Sequence, residues 1–352
     1  MSLLDETCAR IAVPDAEVAE RTQRLLDGKT KPRRSLGRLE DLACRFAAIR
    51  GEERPAAPVK GIVVMAADHG VAAAGVSAYP REVTAQMVLN FVRGGAAINA
   101  LARQADARVV VADLGVARAA PRDAGVRDLR VRAGTDDFTR GPAMTRAEAV
   151  RAIEAGIGLA AELADDGVTL LAVGEMGIGN TTAASALAAC LTSASVRDVV
   201  GPGTGVDSAG LERKRAAVER ALDVNRPDAA DPLGVLAALG GFEIAGLVGA
   251  ILGAASRRVA VVVDGFISSA AALVATRIEP RVAGSLIAAH RSSEPGHERI
   301  LAAMDARPLL DLELRLGEGT GAALAMSLVD AAVRILHEMA TFADAGVADS
   351  GR

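Results

Sequence analysis

The sequence predicts an α/β protein with a mainly parallel sheet covered by helices on both faces. Short, continuously apolar runs recur along the chain, and each is followed by a glycine or polar turn and then by a helical segment. Such runs are typical of parallel strands that are buried on both sides. The predicted strands are Gly61–Ala66, Ala107–Ala112, Thr169–Val173 and Val259–Val263, with a less apolar fifth at Arg281–Ile287.

The two ends of the chain differ from this central part. Asp15–Leu26 and Ser35–Ile49 have the periodicity of helices, and Gly51–Pro58 has the charges and prolines of a connector. The C-terminal run Ala322–Phe342 is predicted to form one long helix or two. We expect it to pack with the N-terminal helices.

Composition excludes several classes of protein. The 352 residues are 51% hydrophobic with a net charge of −4, and the basic residues are scattered, so no nucleic-acid surface is expected. The start lacks the basic and apolar regions of a signal peptide, and the longest apolar stretch, Ile244–Ala255, is too short to span a bilayer. Cys8, Cys44 and Cys190 have no metal-ligand spacing. The sequence therefore predicts a soluble cytoplasmic protein.

The loop Gly174–Thr182 is the strongest candidate for a ligand site, since it follows a predicted strand and opens a predicted helix. Its glycines, asparagine and threonines place N–H groups and hydroxyls at a helix N-terminus, where anions bind. It lacks the lysine of a Walker A loop, and Thr182 replaces the third glycine of the dinucleotide fingerprint. We predict a separate type of phosphate site. Its candidate residues are Glu175, Gly177, Gly179, Asn180 and Thr181.

Three further loops offer groups to the same kind of ligand. Residues 201–207 form a second glycine-rich loop, and the helix after it carries a lysine that either reaches a phosphate or is solvated. An aspartate ends the most apolar predicted strand, and two serines follow the last one. The candidate residues are Gly203, Thr204, Gly205, Lys214, Asp264, Ser292 and Ser293.

Two features of the sequence are similar to metal sites, but neither predicts that a metal binds. His290 and His297 lie close together in sequence, but no HxxxH or CxxC spacing supplies further ligands. The pair Asp165-Asp166 is similar to the acids that hold magnesium in pyrophosphate-dependent phosphoribosyltransferases. It precedes a strand, however, on the side of the sheet opposite the expected site, so we interpret it as a turn. No metal is predicted.

Tyr79, the only tyrosine in the chain, lies beside Ser77 in a predicted turn, and Gln86 and Met87 lie on the helix that follows. Together these side chains are suited to a slot for a flat heteroaromatic ligand with hydrogen bonds at its edge. The alternative is an exposed turn with a capping serine.

Glu318 is an ionisable residue inside the glycine-rich turn Gly317–Gly321, which precedes a helix-like run. Glycines allow a positive φ and a close approach of ligand to backbone. In a dry site the pKa of the carboxylate would rise towards the range of a general base. The alternative is a glutamate that only favours the helix dipole.

Taken together, these segments resemble the nicotinate-nucleotide–dimethylbenzimidazole phosphoribosyltransferases of cobalamin biosynthesis. The match is collinear over nearly the whole chain. It includes Lys31-Pro32, Ser35–Glu40, Asp68-His69-Gly70, Gly174–Thr182 and Gly317–Gly321. Arg33 and Arg34 depart from the family pattern Lys-Pro-Pro-Gly-Ser-Leu-Gly, which affects the conformation of one surface turn and not the active site.

The resemblance implies transfer of the 5-phosphoribosyl group from nicotinate mononucleotide to 5,6-dimethylbenzimidazole, with inversion at the anomeric carbon. The products are α-ribazole 5′-phosphate and nicotinate, and no cofactor is implied. The resemblance also implies a Rossmann-like domain at residues 56–324 and a homodimer. A small helical domain, residues 1–55 completed by 325–352, would accompany the larger one.

The resemblance also assigns roles to residues. Glu318 corresponds to the family's general base, and Ser77, Tyr79 and Gln86 correspond to its benzimidazole pocket. The two glycine-rich loops and Lys214 correspond to its nucleotide site. These assignments agree with the chemistry, because the pyridine leaving group departs neutral and one carboxylate is enough to take the proton of the acceptor.

Two other classes of function remain as alternatives. A non-catalytic protein on the same fold would bind the mononucleotide without releasing nicotinate. A dinucleotide-dependent dehydrogenase is disfavoured by the imperfect glycine fingerprint and the lack of a clear ribose-binding acid. The choice of acceptor among benzimidazoles, purines and phenolics depends on the shape of the pocket, which the sequence does not specify.

Overall fold

A six-stranded parallel sheet lies at the centre of the fold. Its strands are β1 (Lys60–Ala67), β2 (Ala107–Gly115), β3 (Arg127–Asp128), β4 (Leu170–Met176), β5 (Ala260–Val263) and β6 (Leu286–Ala288). They are arranged in the Rossmann order β3-β2-β1-β4-β5-β6. The order changes direction between β1 and β4. A crevice therefore opens beyond the carboxyl ends of these two strands, where open α/β sheets bind ligands.

The computed structural model describes residues 2–118, 121 and 124–348. Within these ranges the helices are α1 (Leu3–Arg10), α2 (Ala16–Asp27), α3 (Arg38–Arg50), α4 (Val83–Val92), α5 (Ala97–Ala105), α6 (Arg146–Asp165), α7 (Asn180–Thr192), α8 (Val196–Val199), α9 (Ser208–Asn225), α10 (Pro232–Leu239), α11 (Phe242–Ser256), α12 (Phe266–Ile278), α13 (Pro295–Ala303), α14 (Thr320–Glu338) and α15 (Phe342–Ala345). Short 3₁₀ segments cover Gly70–Ala74 and Pro280–Ser285.

Both faces of the sheet are covered, as the apolar strands predicted. Successive side chains of β1 point to opposite faces. Ile62 and Val64 belong to the core shared with α2, α3, α5 and α14. Val63 and Met65 belong to the core shared with α6, α7, α11 and α12. The predicted fold class is therefore confirmed.

The two chain ends lie together. Helix α14 packs against α3, and an isolated bridge joins Lys29 to Thr341. The C-terminal run forms two helices, α14 and α15, which are separated where Thr341 begins a capping box with Asp344. The predicted boundary at 324/325 lies inside α14. The division into a small helical domain and a larger one remains a proposal.

Among the described residues, α14 is the helix whose length and composition would suit a membrane span. Its apolar side chains are used inside the protein instead. Met326, Val329, Val333 and Leu336 are all buried in the core that α14 shares with α3. Burial in this core accounts for the apolar character of the helix.

The strand predicted at Arg281–Ile287 is wrong over most of its length. Pro280 has no N–H group to donate, and the side chain of Glu279 accepts a hydrogen bond from the Arg281 backbone N–H at 3.1 Å. The chain turns in a 3₁₀ segment as a result, and strand β6 covers only Leu286–Ala288. Strand β3 was not predicted either, because its two residues are exposed and polar.

The turn that departs from the family pattern has a strained residue. Arg34, which occupies the position of the pattern's glycine, adopts φ 60°. This left-handed conformation costs a non-glycine residue roughly 1–2 kcal/mol. The side chain is exposed, and α3 begins at Arg38. The strain is therefore confined to the surface.

The interpretation of Asp165-Asp166 as a turn is confirmed. Asp165 ends α6, and Asp166 is its C-cap. Asp166 forms an ion pair with Arg108 at 2.9 Å, and Asp165 forms one with Arg257. Both acids precede β4, at the edge of the sheet opposite the crevice.

Candidate active site

A cavity of about 680 Å³ opens at the carboxyl end of β4. One part of its wall is polar and is formed by Glu175, Asn180, Thr181, Thr204, Arg315 and Glu318. Another part is largely apolar and is formed by Tyr79, Val83, Met87, Met176, Ile178 and Leu316. The volume falls within the range of small-molecule sites, about 300–1,000 Å³. The cavity can therefore hold an apolar ring beside a charged or hydroxylated group.

Glu318 is held on this wall by an unusual backbone. Its φ is 63°, between Gly317 at 84° and Gly319 at 90°. Only 6% of the residue is exposed, and one carboxylate oxygen, Oε2, accepts a hydrogen bond from the Ile98 backbone N–H at 3.3 Å. The turn packs tightly on β4, because a Cβ at Gly174 would lie 2.4 Å from the Glu318 carbonyl oxygen. A non-glycine residue kept at positive φ marks a candidate functional site.

Asp264 holds the same turn through two hydrogen bonds to its backbone. Its Oδ2 accepts a hydrogen bond from the Gly319 backbone N–H at 3.1 Å, and its Oδ1 accepts one from the Ala322 N–H at 2.9 Å. The carboxylate therefore caps the N-terminus of α14 from a distant part of the chain. Burial raises the pKa of Glu318, and the negative charge of Asp264 raises it further, against the opposing hydrogen bond from Ile98.

Glu175 is a second buried acid on the cavity wall. It is 5% exposed, near the end of β4, and its Oε2 accepts a hydrogen bond from the side-chain amide of Asn180. Burial, followed by the negative charge of Glu243, raises the pKa of Glu175 to about 8. A carboxyl group with this pKa is mainly protonated at pH 7, so Glu175 can donate a hydrogen bond to a ligand.

A buried pair lies beneath the glycine-rich loop that follows β4. His69 Nε2 and Glu243 Oε1 are 2.6 Å apart, and neither side chain is exposed. Gly177 packs closely on this pair, since a Cβ there would lie 2.7 Å from the Ala67 carbonyl oxygen and 3.1 Å from Glu243 Oε1. The loop requires glycine at this position because no side chain fits.

Lys214 is fully buried behind the polar wall, so the alternative of a solvated helix lysine is wrong. Its Nζ donates hydrogen bonds to Thr181 Oγ1 and to the Gly201 carbonyl oxygen, both at 2.9 Å. Thr181 lines the cavity directly. Burial lowers the pKa of Lys214 to about 8, while the charge of Glu294 opposes this shift. The ammonium form still predominates at pH 7.

The apolar wall includes two of the residues predicted to bind a flat ring. Tyr79 and Met87 line the cavity, and Tyr79 is 56% exposed at its mouth. The Ser77 hydroxyl lies 3.1 Å from that of Thr204, which connects this turn to the second glycine-rich loop. Gln86 is exposed and does not form part of the wall.

The comparison with known proteins agrees with this geometry. A family model described as phosphoribosyltransferase matches residues 11–347. The chain belongs to this family. It is 57% identical over 347 residues to the nicotinate-nucleotide–dimethylbenzimidazole phosphoribosyltransferase of Roseiflexus sp. (strain RS-1), covering 99% of this chain and 98% of the relative. It is 53% identical over 352 residues to the enzyme of the same name from Geobacter metallireducens, covering 100% of this chain and 99% of the relative.

The fold agrees as well. The crystal structure of CobT from Thermus thermophilus superposes with a TM-score of 0.91 at 51% sequence identity. The match covers 95% of this chain and 100% of that one. Family, fold and site geometry together identify the chain as a phosphoribosyltransferase.

Most of the predicted site residues lie at this phosphoribosyltransferase cavity. Those that line it are Tyr79, Met87, Glu175, Gly177, Asn180, Thr181, Gly203, Thr204 and Glu318. Gly179 and Gly205 adopt φ of 98° and 97° in the flanking loops, where glycine is favoured. Ser292 lies with Asp264 in a narrow recess beside the cavity, while Ser293 is exposed and donates its hydroxyl to the Glu313 carbonyl oxygen. The assigned roles of these residues remain predictions.

The two neighbouring histidines are buried and have different partners. His297 Nε2 lies 2.9 Å from the Ser269 hydroxyl, and its Nδ1 accepts a hydrogen bond from the Ser292 N–H. Burial lowers the pKa of His297 to about 3. His290 Nε2 lies 3.5 Å from the Asp264 carboxylate. In the part of the chain that the structure describes, no group of three or more His, Cys, Asp or Glu side chains is arranged for a metal.

Three residues of the site were not singled out by the sequence analysis. Glu294 accepts a hydrogen bond from the Gly203 N–H, Arg315 donates one to the Gly203 carbonyl oxygen, and Glu243 lies close to Glu175 and to the glycine-rich loop. None of them lies in a glycine-rich motif. One signal was available for Glu294, which precedes Pro295 at the start of α13, where an acid favours the helix dipole.

Proposed function

We propose that this chain transfers the 5-phosphoribosyl group from nicotinate mononucleotide to 5,6-dimethylbenzimidazole. The products are α-ribazole 5′-phosphate and nicotinate. The proposal rests mainly on Glu318. Its carboxyl group is buried and has a raised pKa, and it lines a cavity that has an apolar part on one side and glycine-rich loops on the other. The names of the two relatives, which are more than half identical to this chain, support the same reaction.

The mononucleotide phosphate binds beside Thr181, Gly203 and Thr204, with Lys214 as the nearby cation. Backbone N–H groups and hydroxyls at the start of α7 favour an anion, and the ammonium group adds charge. Anchoring the phosphate fixes the ribose from a distance, so binding energy remote from the reacting carbon orients that carbon. Glu175 is mainly protonated at pH 7 and donates a hydrogen bond to the nucleotide.

The acceptor ring lies against Tyr79, Met87 and the other apolar residues of the wall. One of its nitrogens attacks the anomeric carbon and forms the new C–N bond with inversion. The glycosidic bond to the pyridinium nitrogen breaks, and its electron pair leaves with nicotinate, so no general acid is needed. Glu318 takes the N–H proton of the acceptor, which would otherwise become cationic. Its negative charge also favours the oxocarbenium-like ribose.

Asp264 acts through Glu318 in this scheme. Both of its carboxylate oxygens accept hydrogen bonds from the α14 N-terminus, so we propose that it positions the catalytic turn and does not bind the ribose. Its charge also makes Glu318 a stronger base at neutral pH by raising its pKa.

The test is nicotinate release from nicotinate mononucleotide, with and without 5,6-dimethylbenzimidazole, in buffer containing a metal chelator. Release that depends on the acceptor, with α-ribazole 5′-phosphate in the product, supports the proposal. Calorimetry with the mononucleotide alone tests the competing function of a binding protein. Measurable binding without nicotinate release would favour that alternative.

We further propose a homodimer that acts in the cytoplasm. The resemblance to the enzyme family supports the dimer, and the bacterial relatives and the buried apolar face of α14 are compatible with a cytoplasmic location. Light scattering coupled to size-exclusion chromatography is expected to give twice the chain mass. A monomer at micromolar concentration would rule the dimer out, and recovery in the membrane fraction would rule out the location.

A further inference from the structure

Glu294 and Lys214 are two buried charged groups that contact the same segment of the second glycine-rich loop. Lys214 is fully buried and donates to the Gly201 carbonyl oxygen at 2.9 Å. Glu294 is 4% exposed, and its Oε1 accepts a hydrogen bond from the Gly203 N–H at 2.8 Å. The two side chains therefore fix neighbouring peptide groups of one loop.

The surroundings of Lys214 leave its charge poorly compensated. The two oxygens to which its ammonium group donates, on Thr181 and Gly201, are both neutral. Arg315, which also contacts this loop, is a cation that donates to the Gly203 carbonyl oxygen. Glu294 is the group whose negative charge acts on Lys214. A buried ammonium group without a nearby anion tends to lose its proton.

One of the two carboxylate oxygens of Glu294 forms no hydrogen bond with the described residues. This oxygen, Oε2, is shielded from solvent. It packs against the loop, where a Cβ at Gly201 would lie only 2.4 Å from it. The carboxylate therefore lies so close to the backbone of Gly201 that no larger residue would fit at that position.

We propose that Glu294 is a positioning residue of the mononucleotide site, which holds Gly203 and supplies the counter-charge of Lys214 until the phosphate binds. This inference rests on the proposed function, because it takes Lys214 as the cation that meets the phosphate. Glu294 keeps the ammonium group charged in the empty site, and the phosphate then becomes the second anion beside it. Glu294 itself need not touch the substrate.

The test compares Glu294→Gln with the parent by calorimetry of nicotinate mononucleotide binding between pH 7 and 9. Glutamine keeps an oxygen for the Gly203 N–H but removes the charge. Binding should weaken at a lower pH in Glu294→Gln than in the parent, so that Kd at pH 8 rises roughly 3- to 10-fold. In turnover assays KM should rise more than kcat falls. The exposed Glu298, on the helix that Glu294 precedes, provides the matched control Glu298→Gln.

Glu294→Asp separates charge from geometry, because it keeps the carboxylate on a shorter side chain. Its pH profile should remain close to that of the parent even if overall binding weakens. A parent-like profile in Glu294→Gln, or a shifted profile in Glu294→Asp, would overturn the inference. If Glu294→Gln does not fold, as judged by thermal melting, Glu294→Ala takes its place as the charge-removing variant, and a parent-like profile in it would overturn the inference.

The proposed function fails in a different way. If Lys214→Gln leaves mononucleotide binding unchanged, the assignment of the phosphate site is wrong, whatever Glu294 does. If Lys214→Gln weakens binding while Glu294→Gln keeps the parent profile, only the role of Glu294 is wrong.

Discussion

Glu318 and Lys214 are both buried ionisable groups near one cavity, but neighbouring charges act on them in different ways. At Glu318, burial and the negative charge of Asp264 both raise the pKa. At Lys214, burial lowers the pKa and the negative charge of Glu294 opposes that change. Neighbouring charges thus make Glu318 a stronger base, while at Lys214 they help to preserve the cation. This difference corresponds to the two tasks proposed here, proton acceptance and phosphate binding.

The largest effect is expected from Glu318→Gln, which removes the base but keeps the size of the side chain. Turnover should fall by about 10²–10⁴-fold, the usual contribution of a general base. Mononucleotide binding should change little, since the phosphate loops are untouched. Steady-state kinetics and calorimetry measure the two quantities. Near-normal turnover in a folded variant would remove Glu318 from this role.

Lys214→Gln should have the opposite effect, in which binding of the mononucleotide weakens more than kcat falls. Loss of a charged hydrogen-bond donor is expected to raise KM for the mononucleotide about 10- to 100-fold. In the parent, KM should also rise as the pH passes about 8, because Lys214 loses its proton there. That pH dependence should be absent from the variant. If kcat fell while KM stayed constant, Lys214 would not be the phosphate cation.

Asp264→Asn removes the charge that acts on Glu318 without replacing any residue that lines the cavity. An amide oxygen accepts the hydrogen bond of only one of the two N–H groups, so the turn loosens and kcat should fall about tenfold. The pKa of Glu318 should also fall. A base works when deprotonated, so turnover is lost as pH falls through this pKa. The acid limb of the pH–rate profile should therefore move to lower pH.

The outcome for Asp264→Asn is compared with that for Glu318→Gln. A loss of kcat with an unmoved acid limb would mean that Asp264 supports the turn but does not tune the base. Unchanged kcat and an unchanged limb would exclude both effects. Thermal melting of the variant checks that α14 still forms after its cap has been altered.

The sequence was sufficient where the position of a residue in the fold depends on a local pattern. Glu318 and the loop Gly174–Thr182 were found because glycines next to polar residues follow predicted strands. The strands were found because continuous apolar runs are typical of a sheet buried on both sides. Local patterns therefore predicted the fold class and most of the cavity wall.

The partners of these residues were not predictable in the same way. Asp264 bonds to Gly319 and Ala322, which lie 55 and 58 residues further along the chain, and Gly203 bonds to Glu294 at a separation of 91. Such contacts depend on which strands become neighbours, and a single sequence does not state this. The sequence analysis singled out the serines and histidines of the segment around His290, although the acid Glu294 makes the bond to the glycine-rich loop.

The smallest effect is expected from Asp165→Asn, at the edge of the sheet opposite the cavity. Asp165 pairs with Arg257 on the surface, and its side chain is 64% exposed. Removal of such a pair changes the free energy of unfolding by about 0–1 kcal/mol. Turnover, measured with and without added magnesium, should match that of the parent, because Asp165 lies at the edge of the sheet opposite the cavity. A loss of turnover comparable to that of Asp264→Asn would mean that the reaction takes place at the edge of the sheet opposite the cavity. Glu318 and Lys214 would then not be the general base and the phosphate-binding cation.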